Sequence, residues 1–181
     1  ASVVAVATEL GYSQKDIQQG LSTASPSPGR CHVNKTMPWT VIDDTYNANP
    51  VAFLAACQVL ASWSTSGSRI LVVGDMLELG KHSKLYHYKL GQEAAVQGID
   101  LVLALGDYSK EVVQGARSTN SNTMQSRACG SHREIINELI CRLKADDVVV
   151  IKGSRGMYME QVIQGLKDFC NMRQCQEVEV C

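Results

Sequence analysis

Three unbroken apolar runs, RILVV at 69–73, LVLAL at 101–105 and VVVI at 148–151, limit the folds open to this chain more than any other feature. A strand covered on one face alternates apolar with polar residues, whereas a continuous run of this length fits a parallel strand buried on both faces. A shorter run, TVI at 40–42, has the same character, and a weaker strand is expected near 122–128. Helical patterns lie between them at 51–63, 84–97, 108–116 and 132–143, and a last one at 157–169. This alternation predicts an α/β fold: a doubly wound, mostly parallel sheet joined by right-handed crossovers. Upstream, 2–10 and 14–21 read as two helices, the first ended by Gly11 and the second capped by Ser13 with Asp16 in its first turn. The Ser- and Pro-rich stretch STASPSPG at 22–29 reads as a linker, so these helices have no sheet of their own and look like the end of a preceding domain.

Every main strand run ends in a polar cluster. DDTYNANP (43–50) follows the first, GDMLELGKH (74–82) the second, GDYS (106–109) the third and KGSRG (152–156) the last. Ligands of open parallel sheets bind outside the carboxyl ends of the strands. The four clusters are therefore expected along a single edge of the sheet. Asn49 and Pro50 suit the N-cap and first position of the helix that follows. Capping explains one or two of these residues, but not DDTYNAN together.

Composition narrows the function. A net charge of -1 leaves no electrostatic footprint for nucleic acid or an anionic membrane. No apolar run approaches the roughly 18 residues of a membrane span. The N-terminal ASVVAVATELGYSQ has neither a basic region nor an initiator Met, and reads as a cut inside a longer protein rather than a signal peptide. Seven cysteines form no CxxC pair, which fits free thiols in a reducing cytoplasm. His32, His82, His87 and His132 show no metal-ligand spacing, and no metal site is expected.

GDMLELGKH is not a P-loop. Walker A needs four residues between its glycines and Ser or Thr after the Lys, whereas five separate Gly74 from Gly80 and His82 follows Lys81. No GxGxxG follows any strand, which makes a nicotinamide-dependent enzyme a poor alternative. Asp75 and Glu78 can hold a cationic group such as a substrate amine, and equally suit a loop carboxylate and a helix-start residue. His87, between Tyr86 and Tyr88, fits a partly buried structural histidine as well as a substrate contact. KGSRG offers Lys152, Ser154, Arg155 and the flexible backbone of Gly153 at an expected helix N-terminus, a combination suited to a carboxylate or phosphate.

In this order, PGR, VIDDTYNANP, VVGDMLELG with a following His, and VVVIKGSRG closely resemble the C-terminal domain of the Mur ligases, over almost the whole chain from residue 1 to 169. DDTYNANP and GDMLELG resemble the branch that adds a dipeptide rather than a single amino acid. The resemblance implies a Rossmann-like C-terminal domain at 28–170. Residues 1–27 would be the end of a central ATPase domain with its linker, and 171–181 a tail with little apolar pattern. It implies an ATP-dependent, amide-forming ligase that adds D-alanyl-D-alanine to UDP-N-acetylmuramoyl-tripeptide during cytoplasmic peptidoglycan synthesis. ATP and Mg2+ would be held mainly by a central domain carrying the P-loop and a carbamylated lysine, motifs these 181 residues lack.

By the same resemblance, Arg30 reaches the ATP phosphates as the catalytic cation and Asp44 the ribose, with Tyr46 and Asn47 near the nucleotide. Asp75, Glu78, His87, Lys152, Gly153, Ser154 and Arg155 would shape the dipeptide pocket. The implied chemistry is an acyl phosphate attacked by the dipeptide amine, to which this domain contributes positioning and charge neutralisation. The rival reading is a stand-alone nucleotide- or peptide-binding module without catalysis.

Overall fold

The computed structural model of the protein describes residues 2–24, 27–35, 37–119 and 124–178, and of 173–178 the backbone only. Ser25 and Pro26 of the expected linker, the first residues of the weak strand and the last three of the tail lie outside the described residues. Two helices open the chain, α1 (Ser2–Glu9) and α2 (Gln14–Thr23), and neither buries a residue. Ser13 caps α2 by accepting the Asp16 N–H at 3.2 Å.

From β1 (His32–Asn34) and β2 (Thr40–Asp44) onward, strands and helices alternate: α3 (Pro50–Ser62), β3 (Arg69–Val73), α4 (Ser83–Val96), β4 (Leu101–Leu105), α5 (Ser109–Ser118), β5 (Gln125–Cys129), α6 (His132–Arg142), β6 (Val148–Lys152) and α7 (Glu160–Val178). The sheet order is β1-β2-β6-β3-β4-β5. All neighbours are parallel except β1, which runs antiparallel along β2. The expected α/β sheet therefore forms, with the weak strand as β5. The sequence reading missed β1, whose three residues HVN carry no apolar pattern.

The unbroken apolar runs are explained by burial on both faces. Val41, Ile70, Val72, Leu103, Val149 and Ile151 meet Ile135 and Leu139 of α6 and Val162 and Leu166 of α7. Their neighbours in sequence, Ile42, Leu71, Val73, Val102, Val148 and Val150, meet Phe53, Cys57 and Leu60 of α3, Leu90 and Ala94 of α4, and Val112 of α5. Truncating a fully buried member such as Leu139 to Ala should cost about 2–5 kcal/mol. On the α3 side the outer helices approach backbone to backbone: a Cβ added at Gly115 of α5 would stand 1.9 Å from the Tyr88 carbonyl of α4.

Sheet order also positions the site. The connections leaving β2, β3 and β4 turn toward the face of α3, α4 and α5, while the one leaving β6 turns to α7 on the opposite face. Because β6 lies between β2 and β3, a crevice opens at its carboxyl end, the place where open α/β sheets bind ligands. The last helix differs from expectation. It begins at Glu160 rather than 157, after a 3₁₀ turn at Arg155–Met157 and a left-handed Tyr158 (φ 49). It also runs on to Val178, into the expected tail.

Candidate functional site

The antiparallel course of β1 brings its entry, residues 29–31, beside the end of β2, and two carboxylates fasten it there. Asp43 accepts the Gly29 N–H at 3.2 Å together with the Thr45 N–H and hydroxyl at 3.2 and 2.7 Å. Asp44 accepts the Cys31 N–H through Oδ1 at 3.2 Å, and its Oδ2 pairs with the Lys152 ammonium at 2.6 Å. The Tyr46 N–H donates to the Gly29 carbonyl at 2.9 Å. Arg30 is exposed, with its guanidinium 4.2 Å above the Tyr46 ring. Such a contact at an exposed site is worth roughly 0.5–1 kcal/mol. Asn49 caps α3 by accepting the Ala52 N–H at 2.8 Å, with Pro50 in the first turn as expected. A cavity of about 240 Å³ lies between Arg30, Asp44, Tyr46, Asn47 and Asn49.

The loop after β3 joins its neighbours through buried polar atoms. Asp75, 4% exposed, accepts the N–H groups of Asp107 and Tyr108 at 2.8 and 3.2 Å, and so ties this loop to the one after β4. Gly106 is required here, because at φ +119 any Cβ would stand 2.4 Å from the Asp75 carboxyl. Burial holds the Asp75 carboxyl above the ordinary value; the two N–H donors and nearby His87 oppose that rise. His87, 1% exposed, accepts the Met76 N–H at Nε2 (2.9 Å), so its proton sits on Nδ1 and goes to the Ser83 carbonyl at 2.7 Å. Its ring stacks on Tyr108 at 4.8 Å. Asp75 and His87 thus build the loop from within and border neither of the two polar cavities over this sheet edge. Glu78 does line one, and it adopts a left-handed backbone (φ 66).

KGSRG divides in the same way. Lys152 is 2% exposed and directs its ammonium to Asp44 and, at 2.8 Å, to the Asn47 carbonyl. Ser154 is buried as well: its hydroxyl accepts the Leu77 N–H at 2.9 Å, and its own N–H donates to the Asp75 carbonyl at 3.1 Å. Only Arg155 projects outward, 61% exposed and 3.0 Å from Glu160. The expected helix N-terminus is not at this turn, since the short 3₁₀ segment comes between. Gly153 packs against Met159 and Gly74.

Glu78, Ser154 and Arg155 nonetheless meet Tyr46, Asn47 and Asn49 around a second cavity of about 620 Å³. The two cavities share Tyr46, Asn47 and Asn49 as a common wall. The result is one polar trough over the ends of β2, β6 and β3, with Arg30 at one end and Arg155 and Glu78 at the other. It can hold an elongated ligand with anionic groups near the two arginines and an amine near Glu78. Asn49, read from the sequence as a cap alone, lines both cavities; the repeated amides of DDTYNAN were the available signal. A separate cavity of about 190 Å³ between α3 and α4 is floored by Phe53, Met76 and Leu90 and lacks such a polar array.

A sequence profile of the family described as Mur ligase, glutamate ligase domain, matches residues 29–155. The UDP-N-acetylmuramoyl-tripeptide–D-alanyl-D-alanine ligase of Escherichia coli (strain K12) is 36% identical over 174 residues, covering 92% of this chain and 36% of that protein. The enzyme of the same name from Haemophilus influenzae is 37% identical over 171 residues, with the same coverage. Among solved structures, MurF from Acinetobacter baumannii superposes with a TM-score of 0.79 at 33% identity, over 91% of this chain and 36% of that one. A MurF ligase from Thermotoga maritima in complex with ADP gives 0.78 at 28% identity, over 94% and 37%. The chain spans about a third of the length of these relatives.

Proposed function

The chain belongs to the Mur ligase family, and from that premise we propose that it is the C-terminal domain of the ATP-dependent ligase that adds D-alanyl-D-alanine to UDP-N-acetylmuramoyl-tripeptide. The observation that carries this reading is the two-ended trough, with Arg30 and Asp44 at one cavity and Glu78 and Arg155 at the other, separated by a shared wall. The two relatives of that name described above are 36% and 37% identical to this chain over 92% of its length.

In this reading the terminal carboxylate of the tripeptide takes the γ-phosphoryl group of ATP. The dipeptide amine then attacks the acyl phosphate and phosphate leaves. Arg30, exposed on its fastened turn, supplies positive charge to the transferring phosphoryl group. Tyr46 and Asn47 bound the nucleotide, and Asp44 reaches its ribose while still holding the turn. Arg155 takes the dipeptide carboxylate, and Glu78 faces its amine. Asp75, His87, Ser154, Gly153 and Lys152 serve by building the walls. The described residues gather no three His, Cys, Asp or Glu side chains able to hold a metal, so we assign the Mg2+ accompanying ATP to the rest of the ligase. No described helix is long and apolar enough to cross a membrane. We assign the reaction to the cytoplasm, where ATP and nucleotide-linked precursors meet, and through peptidoglycan synthesis to cell-wall biogenesis, cell shape and division.

A chimera tests this. Residues 28–181 replace the matching third of the Escherichia coli relative, and phosphate release is followed with ATP, UDP-precursor and D-alanyl-D-alanine. Release that needs all three supports the proposal. A folded chimera that binds the precursor but turns over no ATP overturns it. The 181-residue chain by itself should release no phosphate under the same conditions.

A further inference from the structure

We propose that Lys152 is a positioning residue: through Asp44 and the Asn47 carbonyl it fixes the turn carrying Arg30 to the wall that divides the trough, without itself reaching either cavity.

The geometry is a three-way joint. Asp44 and Lys152 are register partners on β2 and β6, so their side chains leave the same face of the sheet side by side. That face is the one covered by α3, and the Lys152 ammonium sits 5.6 Å from the centre of the Phe53 ring, 2% exposed. A buried ammonium has three donors and must satisfy them locally. Two go to Asp44 Oδ2 at 2.6 Å and the Asn47 carbonyl at 2.8 Å. The other Asp44 oxygen accepts the Cys31 N–H at 3.2 Å, next to Arg30. The Tyr46 N–H closes the loop onto the Gly29 carbonyl at 2.9 Å, and the Tyr46 ring lies beneath the Arg30 guanidinium.

One cation at the end of β6 is thus linked to the 29–31 turn and to residues 46 and 47, segments that no apolar core holds. Without that charge Asp44 would be a half-buried, unpaired carboxylate. Turning toward water would relieve it, and would pull it off the Cys31 N–H. The functional consequence, a misplaced Arg30, rests on the nucleotide reading given above; the mechanical link does not.

Amide hydrogen exchange on Lys152→Met, Asp44→Asn and the double variant tests the link, with β3 and β4 as internal reference. Exchange at Cys31 and Tyr46, whose N–H groups are held in the joint, should rise about ten- to a hundredfold in Lys152→Met, the factor carried by one charge-assisted hydrogen bond. Exchange in β3 and β4 should stay near wild type. On the Asp44→Asn background, where Cys31 is already loosened, adding Lys152→Met should raise exchange at Cys31 little further. Unchanged exchange at Cys31 in Lys152→Met overturns the proposal, and so do equal, additive increases in both backgrounds. If Lys152→Met loosens the whole sheet, Lys152→Gln decides, because it removes the charge and keeps a polar donor: faster exchange confined to Cys31 and Tyr46 supports the link, and none overturns it. In the full-length ligase the same loosening should lower kcat and leave the KM for dipeptide near wild type. Loosened amides with wild-type kcat and KM for ATP would count against the role of Arg30 in phosphoryl transfer, not against the joint.

Discussion

Asp44 and Lys152 face each other across neighbouring parallel strands, 2.6 Å apart, and the remaining Asp44 oxygen holds the backbone of Cys31. A residue read from the sequence as a ribose ligand is therefore also a structural anchor. Asp44→Ala should raise the KM for ATP in the full ligase and also lower the stability of this domain by about 3–5 kcal/mol, since it leaves a buried ammonium with half its partners. Urea unfolding and ATP kinetics on one preparation check both. An unchanged KM for ATP would remove Asp44 from the nucleotide site.

Arg30 separates function from stability more cleanly. It is exposed and its contact with Tyr46 is weak, so Arg30→Ala should change stability by no more than about 1 kcal/mol. In the proposed role its charge matters most while the phosphoryl group moves, so in the full ligase kcat should fall by about 10³-fold or more, as for arginine fingers. A variant with normal kcat would show that another cation does this work.

Arg155 should govern the dipeptide end. Its pair with Glu160 is largely exposed and contributes at most about 1 kcal/mol to folding. Arg155→Ala should raise the KM for D-alanyl-D-alanine about ten- to a hundredfold and spare the KM for ATP. Weakened ATP with normal dipeptide kinetics would move Arg155 to the phosphate side.

Asp75 predicts a pH dependence with an unusual sign for a carboxylate. Burial raises its pKa in the folded protein above the ordinary 3.8, so in the window above 3.8 the native state binds more protons than the unfolded one. Its contribution is then fully present below that window and declines as pH rises through it. Asn has no ionisation, so Asp75→Asn removes this pH dependence and leaves one of the N–H groups of Asp107 and Tyr108 without its acceptor. The stability of the wild type relative to Asp75→Asn should be greatest below pH 3.8 and fall as pH rises through the raised folded value. A gap that widens with pH would contradict this placement.

Thiol labelling probes the two cores. Burial, with Glu93 nearby, pushes the Cys57 thiol up to about 12, and burial pushes Cys129 to about 11. Both should stay unlabelled by a thiolate-selective reagent at pH 8 until the protein unfolds. Exposed Cys141 should react in the native state. Cys31 should react more slowly, since partial burial and the Asp44 carboxylate hold its thiol above 9.0. Rapid native labelling of Cys57 would mean that α3 is not packed as described.

The parallel strands and the polar edge along which the trough forms were legible in the sequence. After Arg69, RILVV is apolar throughout, as are LVLAL and VVVI, because both faces of a parallel strand are covered, and that signal is local. The caps at Ser13 and Asn49 were legible for the same reason: a cap is a contact between residues three apart. Which polar residues line the trough and which are buried beneath it depends on the tertiary structure. Asp75 and Glu78 sit three residues apart in one loop, yet one carboxylate is buried on backbone N–H groups 32 and 33 residues away and the other lines a cavity. Lys152, read from the sequence as a ligand-binding cation, is set by the insertion of β6 beside β2 against Asp44, 108 residues earlier in the chain. A charged side chain buried by folding must find an opposite charge or hydrogen-bonding partners wherever the topology brings them, and strand order, which no local pattern encodes, determines which partners those are.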